Sequence, residues 1–135
     1  AWPGAELSLG DELLRPSVIY APTVLSAFRQ HEVHAAAHIT GGGLAGNLKR
    51  VIGDQVDIGL DVQTWRRPKI FDEIASQGPV SEAEMRNVFN LGIGMVLIVP
   101  SDQIDAIMSL ANTNGHEAWT IGQVTEGHGT VGWMD

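Results

Sequence analysis

Polar and apolar positions change their period along this chain, and the changes mark its elements. Val33, Ala35, Ala37 and Ile39 share one face and His34, Ala36 and His38 the other, an alternation that predicts a strand. Gly41, Gly42 and Gly43 follow. Leu44, Leu48, Val51 and Ile52 then fall on one helical stripe, with Gly53 as the expected stop. Val56, Ile58, Leu60 and Val62 alternate with Asp57, Gly59 and Asp61, predicting a strand with one buried and one polar face. Upstream, Pro22 suits the first turn of a helix to about His31, with Val24, Leu25 and Phe28 inward. Pro68 opens a helix that buries Ile70, Phe71, Ile74 and Ala75 and ends at Gly78. Ser81-Glu82-Ala83-Glu84 is a capping-box signature for a short helix burying Met85, Val88 and Phe89.

Ile93 to Val99 is apolar almost throughout and reads as a central strand. Ser101 is expected to cap a helix with Ile104, Ile107, Met108 and Ala111 on one side and Gly115 at its end. Ala118–Val124 and Thr130–Trp133 read as two strands joined through Glu126-Gly127-His128-Gly129, a predicted hairpin. Residues 1–17, with Pro3, Gly4, Gly10 and Pro16, read as an irregular lead-in, and Val18-Ile19-Tyr20 as a short extended segment. The domain proper is placed at 18–135. Helices and strands mix without an internal repeat. The expected class is α+β: an α/β sandwich with a mixed, largely antiparallel sheet and packed helices.

With 135 residues, 44% apolar and 18% charged, the chain suits one domain with a true core. It has no cysteine, which excludes disulfides, thiolate zinc sites and a cysteine nucleophile, and fits a reducing cytoplasm. The net charge of −8 argues against broad nucleic-acid or anionic-membrane binding, but leaves room for a small phosphorylated ligand held by local donors. The longest apolar run, Met95–Val99, falls far short of the ~20 residues of a membrane span. No signal peptide is visible. The chain begins Ala1-Trp2-Pro3-Gly4 without an initiator Met, as a processed or truncated chain would.

The richest candidate chemistry is His38-Ile39-Thr40-Gly41-Gly42-Gly43-Leu44. A strand end, bare backbone and a helix start suit an anion, because glycines let amides approach it and the first helical turn adds donors. The alternative is a tight turn in which glycine only relieves sterics. No Lys-Ser/Thr follows the glycines and no G-x-G-x-x-G is present, so neither a P-loop nor a Rossmann site is supported. His34 and His38 lie roughly 13 Å apart on a strand, too far to share a metal. His38, at the loop edge, either acts in the site or braces the loop. In Phe89-Asn90-Leu91-Gly92-Ile93-Gly94-Met95, Asn90 can donate to a phosphate or fix the loop, and the paired glycines admit a ligand or a packed backbone. Asp57 and Asp61 can bind a cation but more often such residues form a solvated strand face, and Arg66 and Arg67 beside Trp65 can reach a phosphate or a partner domain but more often form a solvated surface pair.

Four segments carry a resemblance to a known family. Leu13-Leu14-Arg15-Pro16-Ser17-Val18-Ile19-Tyr20, Ala37-His38-Ile39-Thr40-Gly41-Gly42-Gly43, Phe89-Asn90-Leu91-Gly92-Ile93-Gly94-Met95 and Ala118-Trp119-Thr120-Ile121-Gly122 occur in the order found in aminoimidazole ribonucleotide (AIR) synthetases. The chain resembles the C-terminal domain of that family, also called phosphoribosylformylglycinamidine cyclo-ligases. The resemblance implies ATP-dependent closure of the imidazole ring of formylglycinamidine ribonucleotide in purine biosynthesis, by a cytoplasmic homodimer. ATP and Mg²⁺ would be held mainly by an N-terminal domain that this chain does not include, so the chain alone is expected to be inactive. It also implies that Thr40, Gly41, Gly42, Gly43 and Asn90 contact substrate or phosphate and that His38 is catalytic, with no metal ligand in this part. Formylglycinamidine synthetase, selenophosphate synthetase, thiamine monophosphate kinase and hydrogenase-maturation proteins share the two-domain plan and are the near alternatives. A non-catalytic docking or dimerisation module is the distant one.

Overall fold

The computed structural model describes residues 6–134. Its elements are α1 (Leu9–Leu13), α2 (Ala21–Gln30), β1 (Ala35–His38), α3 (Gly43–Leu48), β2 (Val56–Leu60), α4 (Lys69–Gln77), α5 (Glu82–Val88), β3 (Met95–Ile98), α6 (Ile104–Thr113), β4 (Gly122–Glu126) and β5 (Val131–Trp133). The class is α+β as expected, but the strands divide into two sheets. β1 pairs antiparallel with β3 alone, and β2 lies between an antiparallel β4 and a parallel β5.

Several elements depart from the sequence expectation. The region 93–99 is a strand only over Met95–Ile98 and has one neighbour, so it is not central, and its residues are half-buried. β4 and β5 do not form a hairpin. The turn between them crosses the start of β2, with Gly127 N–H donating to Gln55 O and Gly129 N–H to Val56 O, both at 3.0 Å. β2 therefore separates the two strands. The lead-in contains α1, N-capped by Ser8, whose hydroxyl accepts from Asp11 N–H. Val18-Ile19-Tyr20 joins no sheet. α2 occupies the expected range, but Leu25 and Phe28 are exposed, and it buries Thr23 and Ala27 instead. α3 stops at Leu48, short of Gly53. Ser101 opens a 3-10 turn ahead of α6 rather than capping it with its side chain.

The core forms where α3 and α5 pack between the sheets. Leu44, Leu48, Leu60, Met85 and Leu91 are fully enclosed, with Ala37, Ile39, Ile58, Trp65, Ile93 and Ile121 around them. Burying side chains of this size contributes about 1.5–3 kcal/mol each. α5 starts at Ser81, whose hydroxyl accepts from Glu84 N–H as the capping box predicts. Glu82 ties this helix to Arg67 at 2.9 Å and pairs within the helix with Arg86 at 3.1 Å. Burial pulls the Glu82 carboxyl up, but the two arginines outweigh it and hold the carboxyl below its ordinary value. Arg86 also lies over the Trp133 ring at 4.7 Å, linking α5 to β5.

Candidate functional site

The antiparallel register of β1 and β3 places the exit of one beside the entry of the other. His38 faces Met95, and Ile39 N–H donates to Gly94 O at 2.9 Å. The two glycine-bearing motifs therefore meet. Between them lies a cavity of about 270 Å³. Thr40, Gly41 and Asn90 supply its polar lining, and Ile39, Phe71, Val88 and Phe89 its apolar wall. Phe71 and Phe89 stack at a 59° tilt with centroids 5.8 Å apart.

The three glycines do three different things. A Cβ on Gly43 would overlap the Arg86 carbonyl, and its φ is +63°, so this glycine lets α3 touch the α5 backbone. Gly43 N–H is also taken, donating to Thr40 O at 3.2 Å. Gly42 has φ +99°, a left-handed turn residue. Gly41 is different. Its φ is not in the left-handed region, and a Cβ there would meet nothing within 4 Å. Neither backbone nor packing requires a glycine at 41, yet it lines the cavity.

The loop is braced by Asn47, a buried residue of α3 that the sequence reading did not single out. Its Nδ2 donates to the carbonyls of Gly43 at 2.8 Å, Thr40 at 3.2 Å and Gly41 at 3.4 Å. Its Oδ1 accepts from the Thr40 hydroxyl at 3.4 Å. The loop's carbonyls are thus turned inward and satisfied. The amides of Gly41, Gly42, Leu44 and Ala45 have no acceptor among the described residues. α3 has only six residues, so these donors belong to the turn and owe little to a helix dipole.

Asn90 serves first as a turn former: its Oδ1 accepts from Gly92 N–H at 2.9 Å. Its side-chain N–H₂ has no acceptor among the described residues, and the residue lines the cavity. The turn is held from behind. Buried Leu91 sits at φ +53°, and its carbonyl accepts from Trp65 Nε1 at 3.0 Å. Such a conformation in a bulky residue costs on the order of 1–3 kcal/mol and persists where its surroundings over-determine it.

His38 is exposed and does not line the cavity. Its ring meets Tyr20 edge-on at 6.1 Å, and Tyr20 also meets His116 at 5.5 Å. A Cβ on Gly94 would overlap the Tyr20 hydroxyl, so that glycine makes room for the ring. Burial pushes the Tyr20 phenol pKa up. The structure thus brings Thr40, Gly41 and Asn90 together, with Gly42 and Gly43 in the adjoining loop and His38 in a separate aromatic group.

The other candidates resolve into structural roles. Asp57 is not a merely solvated carboxylate: its Oδ1 accepts from Thr130 N–H at 2.7 Å and His128 N–H at 2.9 Å. These two amides hold its pKa down at about 2. Asp61 caps a 3-10 turn through Gln63 N–H at 2.9 Å. His34 pairs with Glu32 at 3.0 Å. Arg67 pairs with Glu82 and Asp72, whereas Arg66 is exposed. Among the described residues no three His, Asp or Glu side chains gather as metal ligands. The cavity's polar lining, Thr40, Gly41 and Asn90, carries no carboxylate, a set suited to phosphate oxygens rather than to Mg²⁺.

Residues 2–134 match the family described as AIR synthase related protein, C-terminal domain. The chain belongs to this family. Among curated relatives, phosphoribosylformylglycinamidine cyclo-ligase of Cyanothece sp. is 48% identical over 125 residues, covering 92% of this chain and 34% of the relative. The protein of the same name from Synechococcus elongatus is 40% identical over 125 residues, covering 92% of this chain and 37% of the relative. The trifunctional purine biosynthetic protein adenosine-3 of Homo sapiens is 44% identical over 117 residues, covering 87% of this chain and 12% of the relative. The chain thus spans about a third of the length of the cyclo-ligases it matches. Among the described residues no helix is long and apolar enough to cross a membrane.

Proposed function

We propose that the chain is the C-terminal part of a phosphoribosylformylglycinamidine cyclo-ligase, acting in ATP-dependent imidazole ring closure in purine biosynthesis. One observation carries the reading of the site: the His38–Gly43 and Phe89–Met95 motifs meet around a cavity where Gly41 is bare without a packing reason. Relatives 40–48% identical that bear the cyclo-ligase name favour this activity over the other ATP-using enzymes of similar plan.

In this reading the formyl amide oxygen attacks the γ-phosphorus of ATP and ADP leaves. The amidine nitrogen then attacks the activated carbon, inorganic phosphate departs with the former amide oxygen, and loss of a proton leaves the aromatic ring. Such chemistry needs held geometry and charge stabilisation more than a strong nucleophile. Within this chain, the amides of Gly41 and Gly42 and the Asn90 carboxamide bind oxygens of a phosphate-bearing ligand, and the Thr40 hydroxyl joins them by giving up its 3.4 Å bond to Asn47 Oδ1. Gly43 sets the loop against α5. His38 acts from the loop edge, braced by Tyr20. ATP supplies the activating phosphoryl group. It and Mg²⁺ are held mainly by the N-terminal part of a cytoplasmic homodimer, reached across the linker at 1–17. The apolar residues Leu14, 82% exposed, and Ile19, 76% exposed, lie in and beside that linker, as an interdomain contact requires.

Steady-state kinetics test this in the full-length protein, its Gly41→Ala variant and the isolated 135-residue chain. The full-length protein cyclises formylglycinamidine ribonucleotide. Gly41→Ala raises KM about tenfold, as loss of one or two hydrogen bonds would, with stability unchanged to within about 0.5 kcal/mol. The isolated chain does not turn over. Unchanged kinetics in Gly41→Ala reject the loop assignment, and turnover by the isolated chain rejects the split site.

A further inference from the structure

Exposed apolar surface is concentrated in one stretch of the chain. Among the described residues twelve large apolar side chains are exposed, and eight of them lie between Leu7 and Phe28. From Glu6 to Ile19 every residue but Glu12 is exposed, and α1 buries none of its own. A five-residue helix is too short to stand on its own hydrogen bonds, so α1 implies a surface that packs against it. α2 continues the same face. Its inward side is Thr23 and Ala27, while Leu25, 53% exposed, and Phe28, 48% exposed, stand three residues apart on the outward side. α4, α5 and α6 show exposed carboxylates at Asp72, Glu84 and Asp105, whereas α2 has no carboxylate on a protein of net charge −8. Aliphatic and aromatic side chains without carboxylates suit the centre of an interface better than a solvated helix.

The relatives indicate what covers this face. The family is a C-terminal domain, and the chain covers only 34% and 37% of two cyclo-ligases, so most of such a protein lies outside this domain and ahead of it. We propose that the outward face of α1, the segment 14–19 and α2 is the seat of the polypeptide that precedes this domain in the full-length protein, with Leu25 and Phe28 at its centre. The inference extends the linker contact of the proposed function onto a helix of the domain itself. It rests on the chain being the C-terminal part of a longer protein, and not on the ring closure. The exposed face runs from the connection into α2, as a contact that grows out of its own tether does, and tethering raises the effective concentration of the two surfaces. Seat and site are joined at one step of the chain. Ile19 is exposed, but Tyr20 packs on Gly94 and meets His38, so a docked domain is registered against β1, whose end opens into the cavity. Helix packing, rather than the linker alone, then sets the angle between the two parts.

Photo-crosslinking in the full-length protein tests the proposal. p-Benzoylphenylalanine replaces Phe28 in one variant, Leu25 in a second and Val124, an exposed apolar residue of β4, in a control, with thermal unfolding of each alongside. Irradiation of the probes at 28 and 25 is expected to give an adduct within a single chain, mapped by mass spectrometry to residues ahead of Ala1, in about tenfold the yield from position 124 or more. If one of the two variants does not fold, the other decides. An adduct between two chains makes the face a contact between copies and overturns the proposal. So does an adduct to residues of this domain alone, or a yield at 28 and 25 no higher than at 124. None of these readouts involves turnover. A protein that seats its preceding part here but does not cyclise formylglycinamidine ribonucleotide keeps this inference and loses the proposed function, and a protein that cyclises it with no adduct at 28 or 25 does the reverse.

Discussion

Two glycine-bearing turns cap the two sheets, and they are wired in opposite senses. At the start of β2, Asp57 collects the amides of His128 and Thr130. At the end of β1, Asn47 collects the carbonyls of Thr40, Gly41 and Gly43. In the first turn two amides go to an anion of the protein itself and those of Gly127 and Gly129 to β2-side carbonyls. In the second the carbonyls are taken, and of the three glycine amides only that of Gly43 has an acceptor among the described residues. An open groove of about 590 Å³ lies beside the first turn, between Asp54, Glu126 and His128, yet with Asp57 on the amides it has little to offer an anion. The smaller cavity has the right polarity. On the function proposed above, volume alone would choose the other end of the molecule.

The contrast can be broken most forcefully at Gly43. Gly43→Ala pushes a methyl into the Arg86 carbonyl at a left-handed φ. A loss of about 3 kcal/mol or more is expected in denaturant unfolding. A loss below about 1 kcal/mol would mean that the loop is not pinned to α5. Next comes Gly127→Ala, whose methyl would overlap the Asp57 carboxylate. The half-buried carboxylate can give way only by loosening its bonds to His128 and Thr130, so about 1–2 kcal/mol is expected, with no effect on ligand binding. The smallest effect belongs to Asp57→Asn and shows in pH. The Asp57 carboxyl is depressed from 3.8 to about 2. Its contribution is therefore present above the ordinary value and lost as pH falls from 3.8 to about 2. The Tm difference between the native chain and Asp57→Asn should narrow across that window. A constant difference would remove Asp57 as the anchor of the turn.

Local signals carried the parts of the fold that depend on neighbours in sequence. The alternation through Val33–Ile39 and Val56–Val62 placed two strands, the second ending at Leu60 with Val62 in a 3-10 turn, and Ser81 with Glu84 placed the start of α5. Ser8 with Asp11 is the same kind of signal and marked α1, but the prolines and glycines around it read as a lead-in. What failed was non-local. Nothing in residues 118–133 says that β2 will lie between β4 and β5, because that follows from Asp57 drawing the turn across the strand. Leu25 and Phe28 have the right spacing for burial, but small Ala27 and Thr23 give closer contact. At the site, composition identified the loop, and only coordinates separated the three glycines. Asn47 gave no signal of its own in the sequence, since its work depends on carbonyls gathered by a turn.

The position of β2 also bears on how the domain is made. β2 emerges early, yet both of its partners come after α4, α5, β3 and α6. Until residues 122–133 join it, Val56–Leu60 would be a strand with two bare edges, a template for pairing with other chains. Translation that stalls before β4 would leave a sticky intermediate rather than a smaller working domain, so a cell would meet such a product as a chaperone or protease substrate.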